Sequence, residues 1–277
     1  MLFILCALTA EAKPLISALS LRKDNTSCPY DTYFAEDNSV VLAISGMGTV
    51  AAASATTYLL TRFGTKKEQD HLINFGSCAG KDPGMYLINK ITDDISGREY
   101  YPDMLYDLSS AGLSFSSEKA LTTVNHVVSS LEDPDQLYEM EASGIFQAGS
   151  HFLPPHRMLF LKYVSDSGVE DPKSITNAHL TACAEQQLST VLLILGKLKN
   201  ISEEIPSIDE DLFLSASYAL HLSETLRHEL YQLFVYARSE NIDIEKILDG
   251  LKKEGRIPAP SKREGKEVLH AIRERLN

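Results

Sequence analysis

The sequence predicts an α/β domain of three layers, helices on both faces of a mixed central sheet, followed by an all-helical C-terminal appendage. Three observations carry this. Short runs such as residues 2–8 and 40–44 are apolar throughout rather than alternately, as in strands covered on both faces. Helical segments separate those runs over the first two-thirds of the chain. After about Asn200 the strand-like runs stop and only helical periodicity remains. Domains are therefore expected at residues 1–197 and 198–277.

Taken in order, a strand is expected at 2–8 and a helix at 10–19, its first turn carrying Glu11. The β-branched run 40–44 ends at Ser45-Gly46-Met47-Gly48, where Thr49 is expected to cap a helix through Phe63 that Gly64 stops. A strand at 71–75 runs into the small-residue turn Gly76-Ser77-Cys78-Ala79-Gly80. Further strands are expected at 85–91, 121–128 and 158–164, and helices at 141–149 and 176–198. Pro206 and its acidic neighbours make 201–211 a linker. Leu222, Leu226, Leu230 and Leu233 then recur at helical spacing. Asp243 is placed to cap a second helix that Gly255 and Pro258 end, and Ser261-Lys262-Arg263-Glu264 is a capping box for a third. The sheet is expected to be mostly parallel. In such sheets ligands bind beyond the carboxyl ends of the strands, and Glu11, Gly46, Ser77 and Asp166 all follow such ends.

With 277 residues and 44% hydrophobic content the chain can bury a real core. Its net charge of -12 argues against a general nucleic-acid or membrane-surface binder. Basic residues gather after Leu251, at Lys252, Lys253, Arg256, Lys262 and Arg263, a pattern most simply read as a solvated face. Cys6, Cys28, Cys78 and Cys183 are scattered without a CxxC pair, which suits a reduced, cytoplasmic protein. Residues 1–8 lack a basic leader and run at once into Glu11 and Lys13, so they read as a buried strand rather than a signal peptide. No apolar run approaches transmembrane length. The histidines form no HExxH and no tight pair, and no metal is expected.

The segment richest in chemistry is Glu139-Met140-Glu141, with Ser165-Asp166 closing an apolar strand further on. Acidic side chains are seldom buried unless paired, so three of them beside apolar segments suggest a site. Two carboxylates flanking a thioether can hold a sugar by its hydroxyls while the apolar face packs the ring. A third at a strand end can hand a proton to a leaving group. The plainer reading is an acidic helix start, since Glu is favoured in a first turn. Gly46-Met47-Gly48-Thr49 imitates a dinucleotide fingerprint, but the next strand ends in Gly76-Ser77 and not in an acidic residue, so a tight turn is the better account. Gly76-Ser77-Cys78-Ala79-Gly80 is small enough to bring backbone N–H groups near a sugar or phosphate, yet it is not a Gly-x-Ser-x-Gly nucleophile elbow.

Taken in sequence, these motifs resemble the nucleoside phosphorylase/nucleosidase superfamily, and within it the methylthioadenosine/S-adenosylhomocysteine nucleosidase family. The likeness covers roughly residues 1–197. It rests on Ala7-Leu8-Thr9-Ala10-Glu11, Ser45-Gly46-Met47-Gly48-Thr49-Val50-Ala51, Asn74-Phe75-Gly76-Ser77, Glu139-Met140-Glu141-Ala142 and Val164-Ser165-Asp166, in that order. The resemblance implies a nucleoside-phosphorylase-like domain that cleaves an N-glycosidic bond. By it, Glu141 would accept hydrogen bonds from the ribose hydroxyls and Met140 would pack on the sugar. Glu139, Gly46, Ser77 and Ser165 would belong to the substrate site. Asp166, sheltered by burial, would protonate the departing base as general acid, and Glu11 would activate the attacking water.

Phosphorylases of the superfamily carry an Arg in the first loop and another before the Gly-Ser turn. Here those places read Thr9-Ala10-Glu11-Ala12-Lys13 and Ile73-Asn74-Phe75, so hydrolysis is favoured over phosphorolysis. Phosphate would be a co-substrate only in the second case, and no other cofactor is implied. The stretch 123–128 offers His126 as its one aromatic ring, which leaves the base open. The resemblance also implies a homodimer, or a hexamer of dimers, with Tyr100, Tyr101 and Tyr106 as a plausible donor to the neighbour's pocket. A non-catalytic nucleoside-binding module that docks a partner through the appendage is the other reading.

Overall fold

Every residue of the first strand, β1 (Leu2–Cys6), is buried, because its side chains alternate between two apolar layers. Leu2, Ile4 and Cys6 enter one layer, and Phe3 and Leu5 the other. The same division runs along β4 (Val40–Ile44), with Val40 and Leu42 opposed to Val41 and Ala43. Helices α1 (Thr9–Ala18) and α4 (Asn177–Glu204) close the first layer through Leu15, Val191, Ile194 and Leu198. Helices α2 (Thr49–Phe63) and α3 (Ala142–Gly149) close the second through Ala52, Leu59, Ile145 and Phe146. This is the α/β class that uniformly apolar strand runs dictate. The computed structural model describes the chain except residues 27, 67–68, 103–107, 110–111, 113–116, 170–173, 205–207 and 277 and the side chains of 202–204.

The strands form one ten-stranded sheet. The others are β2 (Arg22–Lys23), β3 (Thr32–Phe34), β5 (His71–Ala79), β6 (Met85–Asp93), β7 (Glu99–Tyr100), β8 (Glu118–Thr123), β9 (Leu137–Glu139) and β10 (Met158–Asp166). Their order is β10-β6-β8-β9-β5-β1-β4-β3-β2, with β7 on β6. Strand β5 also pairs with β10, so β5, β10, β6, β8 and β9 close into a ring. Among the described residues five pairings are parallel and five antiparallel, so the sheet is mixed as expected but evenly so, where mostly parallel pairing was expected. Short connections between β2, β3 and β4 and between β6 and β7 impose antiparallel pairing there.

Several boundaries differ from expectation for identifiable reasons. Strand β5 continues to Ala79 because β10 runs beside it, Lys162 opposite Gly76 and Tyr163 opposite Ser77. The small-residue segment is thus part of the sheet. Strand β1 stops at Cys6, since the N–H groups of Ala7 and Leu8 turn to Glu11. Gly48, with φ of +94°, occupies the N-cap of α2 in place of Thr49. Strand β8 leaves the sheet after Thr123 instead of Val128. The acidic stretch 201–211, expected as a linker, carries the end of α4 and the start of α5 (Glu210–Ala219). Asp209 accepts from the Leu212 N–H at 2.9 Å, and Glu210 and Asp211 sit favourably in the first turn.

The chain divides into two compact units, Met1–Ser202 and Glu203–Asn277. The second holds α5, α6 (Glu224–Ser239), α7 (Ile244–Lys253) and α8 (Lys262–Leu276). Its core is built from Phe213, Leu230, Phe234, Leu251, Leu269 and Ile272. Asp243 caps α7 through the Lys246 N–H, and Ser261 accepts from the Glu264 N–H. Gly265 lies against the Leu220 carbonyl, where a Cβ would overlap it. Among the described residues no helix is long and apolar enough to cross a membrane.

Candidate active site

Glu11 is the third residue of α1, and its carboxylate folds back over the helix start. Oε2 accepts from the N–H groups of Ala7 and Leu8, each at 3.0 Å, which satisfies helix-start donors that the apolar Leu8 side chain cannot. Oε1 accepts from Ser77, at 2.8 Å from its N–H and 2.7 Å from its hydroxyl. The group is 2% exposed, and all four donors come from the ends of β1 and β5. Gly76 eases this approach, for a Cβ there would lie 3.2 Å from Glu11 Oε1, a close contact that the carboxylate would have to give way to. The neighbouring Cys78 is buried, which pushes its thiol well above the ordinary range and leaves it a packing residue.

Glu139 ends β9 with its acceptor positions filled from inside the protein. It takes the Thr123 hydroxyl at 2.7 Å, the Glu141 N–H at 2.9 Å and the Ala142 N–H at 2.9 and 3.1 Å. Lys162 Nζ completes the set at 2.8 Å, with both side chains almost fully buried. Burial disfavours the Lys162 cation, but Glu139 and then Glu141 outweigh it and raise its pKa above the ordinary value. Sequence reasoning passed over Lys162. The available signal was a single lysine inside the apolar run Leu159-Phe160-Leu161-Lys162-Tyr163-Val164.

Glu141 is the N-cap of α3, but its side chain does not cap its own helix. Oε1 instead accepts the Gly48 N–H at 2.9 Å, and Oε2 takes no donor from the described residues. The carboxyl is buried beside another carboxylate. Burial first, and Glu139 second, push its pKa up to about 7 against the opposing pull of Lys162 and the Gly48 N–H.

Asp166 closes β10. Its Oδ2 accepts the Ser165 hydroxyl at 2.8 Å, and Oδ1 the Gly168 N–H at 2.9 Å. The residue is half-buried. The Ser165 hydroxyl has a second acceptor in the Cys78 carbonyl at 3.4 Å, so it can turn away from Asp166 without losing a partner.

A cavity of about 360 Å³ brings these groups together. Glu11, Ser77, Glu139, Met140, Glu141, Ser165 and Asp166 all line it. Gly46 does not; its N–H is spent on the Ala7 carbonyl at 3.1 Å, and Met47 reaches the cavity instead. His126 lies on the wall together with Val124, Val127 and Tyr138, which sequence reasoning had not singled out. Tyr138 was concealed because β9 is too short to show a period. Among the described lining residues there is no lysine or arginine. Among the described residues no group of His, Cys, Asp and Glu is placed to hold a metal ion. Of the tyrosines expected to serve a neighbour, Tyr100 packs on Phe146 of its own chain, Tyr101 is exposed, and Tyr106 lies outside the described residues.

Carboxylates on a closed mixed sheet, in this order along the chain, resemble the nucleoside phosphorylase/nucleosidase superfamily. No protein-family model matches the sequence. A 5'-methylthioadenosine/S-adenosylhomocysteine nucleosidase of Tolumonas auensis is 27% identical, over 58% of this chain and 83% of the relative. The apo 5'-methylthioadenosine nucleosidase of Arabidopsis thaliana superposes with a TM-score of 0.59 at 18% identity, covering 71% of this chain and 95% of that one. The Neisseria meningitidis 5'-methylthioadenosine/S-adenosylhomocysteine nucleosidase with methylthio-immucillin-A gives 0.58 at 20%, covering 72% and 98%. Native futalosine hydrolase of Helicobacter pylori gives 0.58 at 14%, covering 71% and 97%. These structures share the fold of this chain over the 71–72% of it that they cover.

Proposed function

We propose that the chain is a nucleosidase that hydrolyses an N-glycosidic bond in this cavity. The observation that carries the reading is the convergence of Glu11, Glu141 and Asp166 on one cavity lined by no arginine or lysine among the described residues. Such a site repels phosphate and suits water as the nucleophile. Asp166 gives a proton to the departing base, so that it leaves neutral. The Ser165 hydroxyl turns from the Cys78 carbonyl to Asp166 Oδ2 as the carboxylate forms. Glu11 takes a proton from the attacking water. Of its four donors only the Ser77 hydroxyl can rotate away, which frees a lone pair for that water. Glu141 accepts the ribose hydroxyls through its open oxygen, and Met140 packs on the sugar. Glu139 acts from behind, by fixing the backbone of Glu141 and Ala142.

Assembly belongs to the same proposal. Met47 is 62% exposed although it lines the cavity, and Val50 beside it is 79% exposed. A second copy of the chain covering this edge would finish the pocket wall, giving a homodimer. Light scattering of an active monomer would contradict it.

The deciding experiment for the reaction mixes pure protein with a panel of nucleosides, with and without phosphate. Free ribose formed at a rate independent of phosphate is expected. Ribose 1-phosphate would replace hydrolysis with phosphorolysis, and binding without turnover would replace catalysis with recognition.

A further inference from the structure

Lys162 stands in a place where a lysine is costly. On β10 the side chains of Met158 and Phe160 enter the layer under α2 and α3, and Lys162 continues their row. Its side chain is 1% exposed, and it does not line the cavity. A cation there persists only if paired, and its partner is Glu139 at 2.8 Å. Glu139 in turn grips the N–H groups of Glu141 and Ala142, the N-cap and first residue of α3. The chain of contacts therefore runs from a strand through a carboxylate to the backbone that carries Glu141.

We propose that Lys162 is a positioning residue, which through Glu139 fixes the Glu139-Met140-Glu141 turn and offsets the negative charge around Glu141, so that Glu141 can receive a sugar as an anion. The sugar-binding half of this rests on the nucleosidase reading above. The groups facing Glu141 are Glu11 from α1, the Gly48 N–H ahead of α2, Glu139 from β9 and Lys162 from β10, and Asp166 and His126 line the same cavity. Lys162 is the one cation in that set. The register agrees with a central placement, since Lys162 lies opposite Gly76, whose neighbour Ser77 holds Glu11. Glu139, Glu141 and Glu11 thus share one buried positive charge.

The test compares wild type with Lys162→Met, Lys162→Gln and Lys162→Arg by two readouts. The first is the pH dependence of kcat/KM on a cleaved nucleoside. The second is ¹³C NMR titration of the glutamate side chains in the free protein, which needs no turnover. Lys162→Gln keeps a donor toward Glu139 but removes the charge, so it serves where Lys162→Met fails to fold. Removing the charge is expected to move the Glu141 titration and the acid limb upward by about one pH unit, a roughly tenfold effect. The Met variant is expected to raise KM as well, while Lys162→Arg restores the wild-type limb. Folded Met or Gln variants that titrate and bind as wild type does would overturn the assignment. A shifted titration in a protein that cleaves no nucleoside supports the role of Lys162 and sinks the nucleosidase reading instead.

Discussion

Gly48 donates its backbone N–H to Glu141 Oε1 at 2.9 Å, joining residues 93 positions apart. The turn that delivers this donor has Gly46 at φ +81° and Gly48 at φ +94°, conformations that side chains with a Cβ rarely adopt. Helices α2 and α3 meet so closely beneath it that a Cβ on Gly144 would overlap the Thr49 carbonyl. One packing contact thus sets both the glycine turn and the carboxylate that it holds.

Gly144→Ala should therefore damage stability and site together. Overpacking a close helix contact against backbone costs about 1–3 kcal/mol, and the displaced α3 start would carry Glu141 off the Gly48 N–H. The control is Gly196→Ala on α4, where nothing lies within 4 Å of the added Cβ and helix propensity favours Ala by up to about 1 kcal/mol. Urea denaturation of both variants checks this. Equal stability of the two would mean that α3 can slide without cost.

Asp166→Asn keeps the shape and the Gly168 contact but removes the proton, so turnover should fall by about 10²–10⁴-fold with ligand binding retained. Glu11→Gln should lose turnover on the same scale, because an amide takes no proton from water. Single-turnover kinetics alongside direct binding measurements separate the two effects. Near wild-type turnover in the Asn variant would remove Asp166 from the acid role.

What could be read from the residues was the part governed by local pattern. The uniformly apolar run at β4 and the caps at Asp243 and Ser261 are written in neighbouring residues, and the structure places them so. What stayed hidden depends on distant partners. Strand β5 runs past Phe75 because β10 lies alongside, and no window around Gly76 reveals that. Glu139 and Glu141 look equivalent in sequence, yet Lys162 and two backbone N–H groups absorb the first and leave the second open. Helix α5 was obscured by acidic residues that read as a linker but serve as a helix start.

His71, at the first position of β5, gives a pH dependence of its own. Burial first, and the Arg157 guanidinium 2.9 Å away second, push its pKa down to about 3. The unfolded chain protonates this ring near 6.5 while the folded one does not, so its contribution to stability rises with pH across that interval and is lost on acidification. His71→Gln removes the titration. Denaturation at pH 5 and pH 7 should show wild type losing more stability on acidification than the variant, and a parallel loss would contradict the neutral buried ring.

Glu141 works in the opposite sense. Its folded pKa of about 7 lies above the ordinary 4.5, so between those values the folded protein binds more protons than the unfolded one. The stability it contributes is complete below about 4.5 and lost as pH rises through 7. Gln at this position cannot ionise and still accepts the Gly48 N–H. Glu141→Gln should therefore gain on wild type as pH rises from 5 to 8, by about 1–3 kcal/mol at the upper end. The same variant should bind nucleosides more weakly above pH 7, since only the carboxylate offers charged acceptors to two hydroxyls. Wild-type kcat/KM should fall below about pH 7, as protonation of Glu141 weakens that grip. A stability gap that does not change with pH would show that Glu141 is ionised throughout, and the acid limb would then belong to another group.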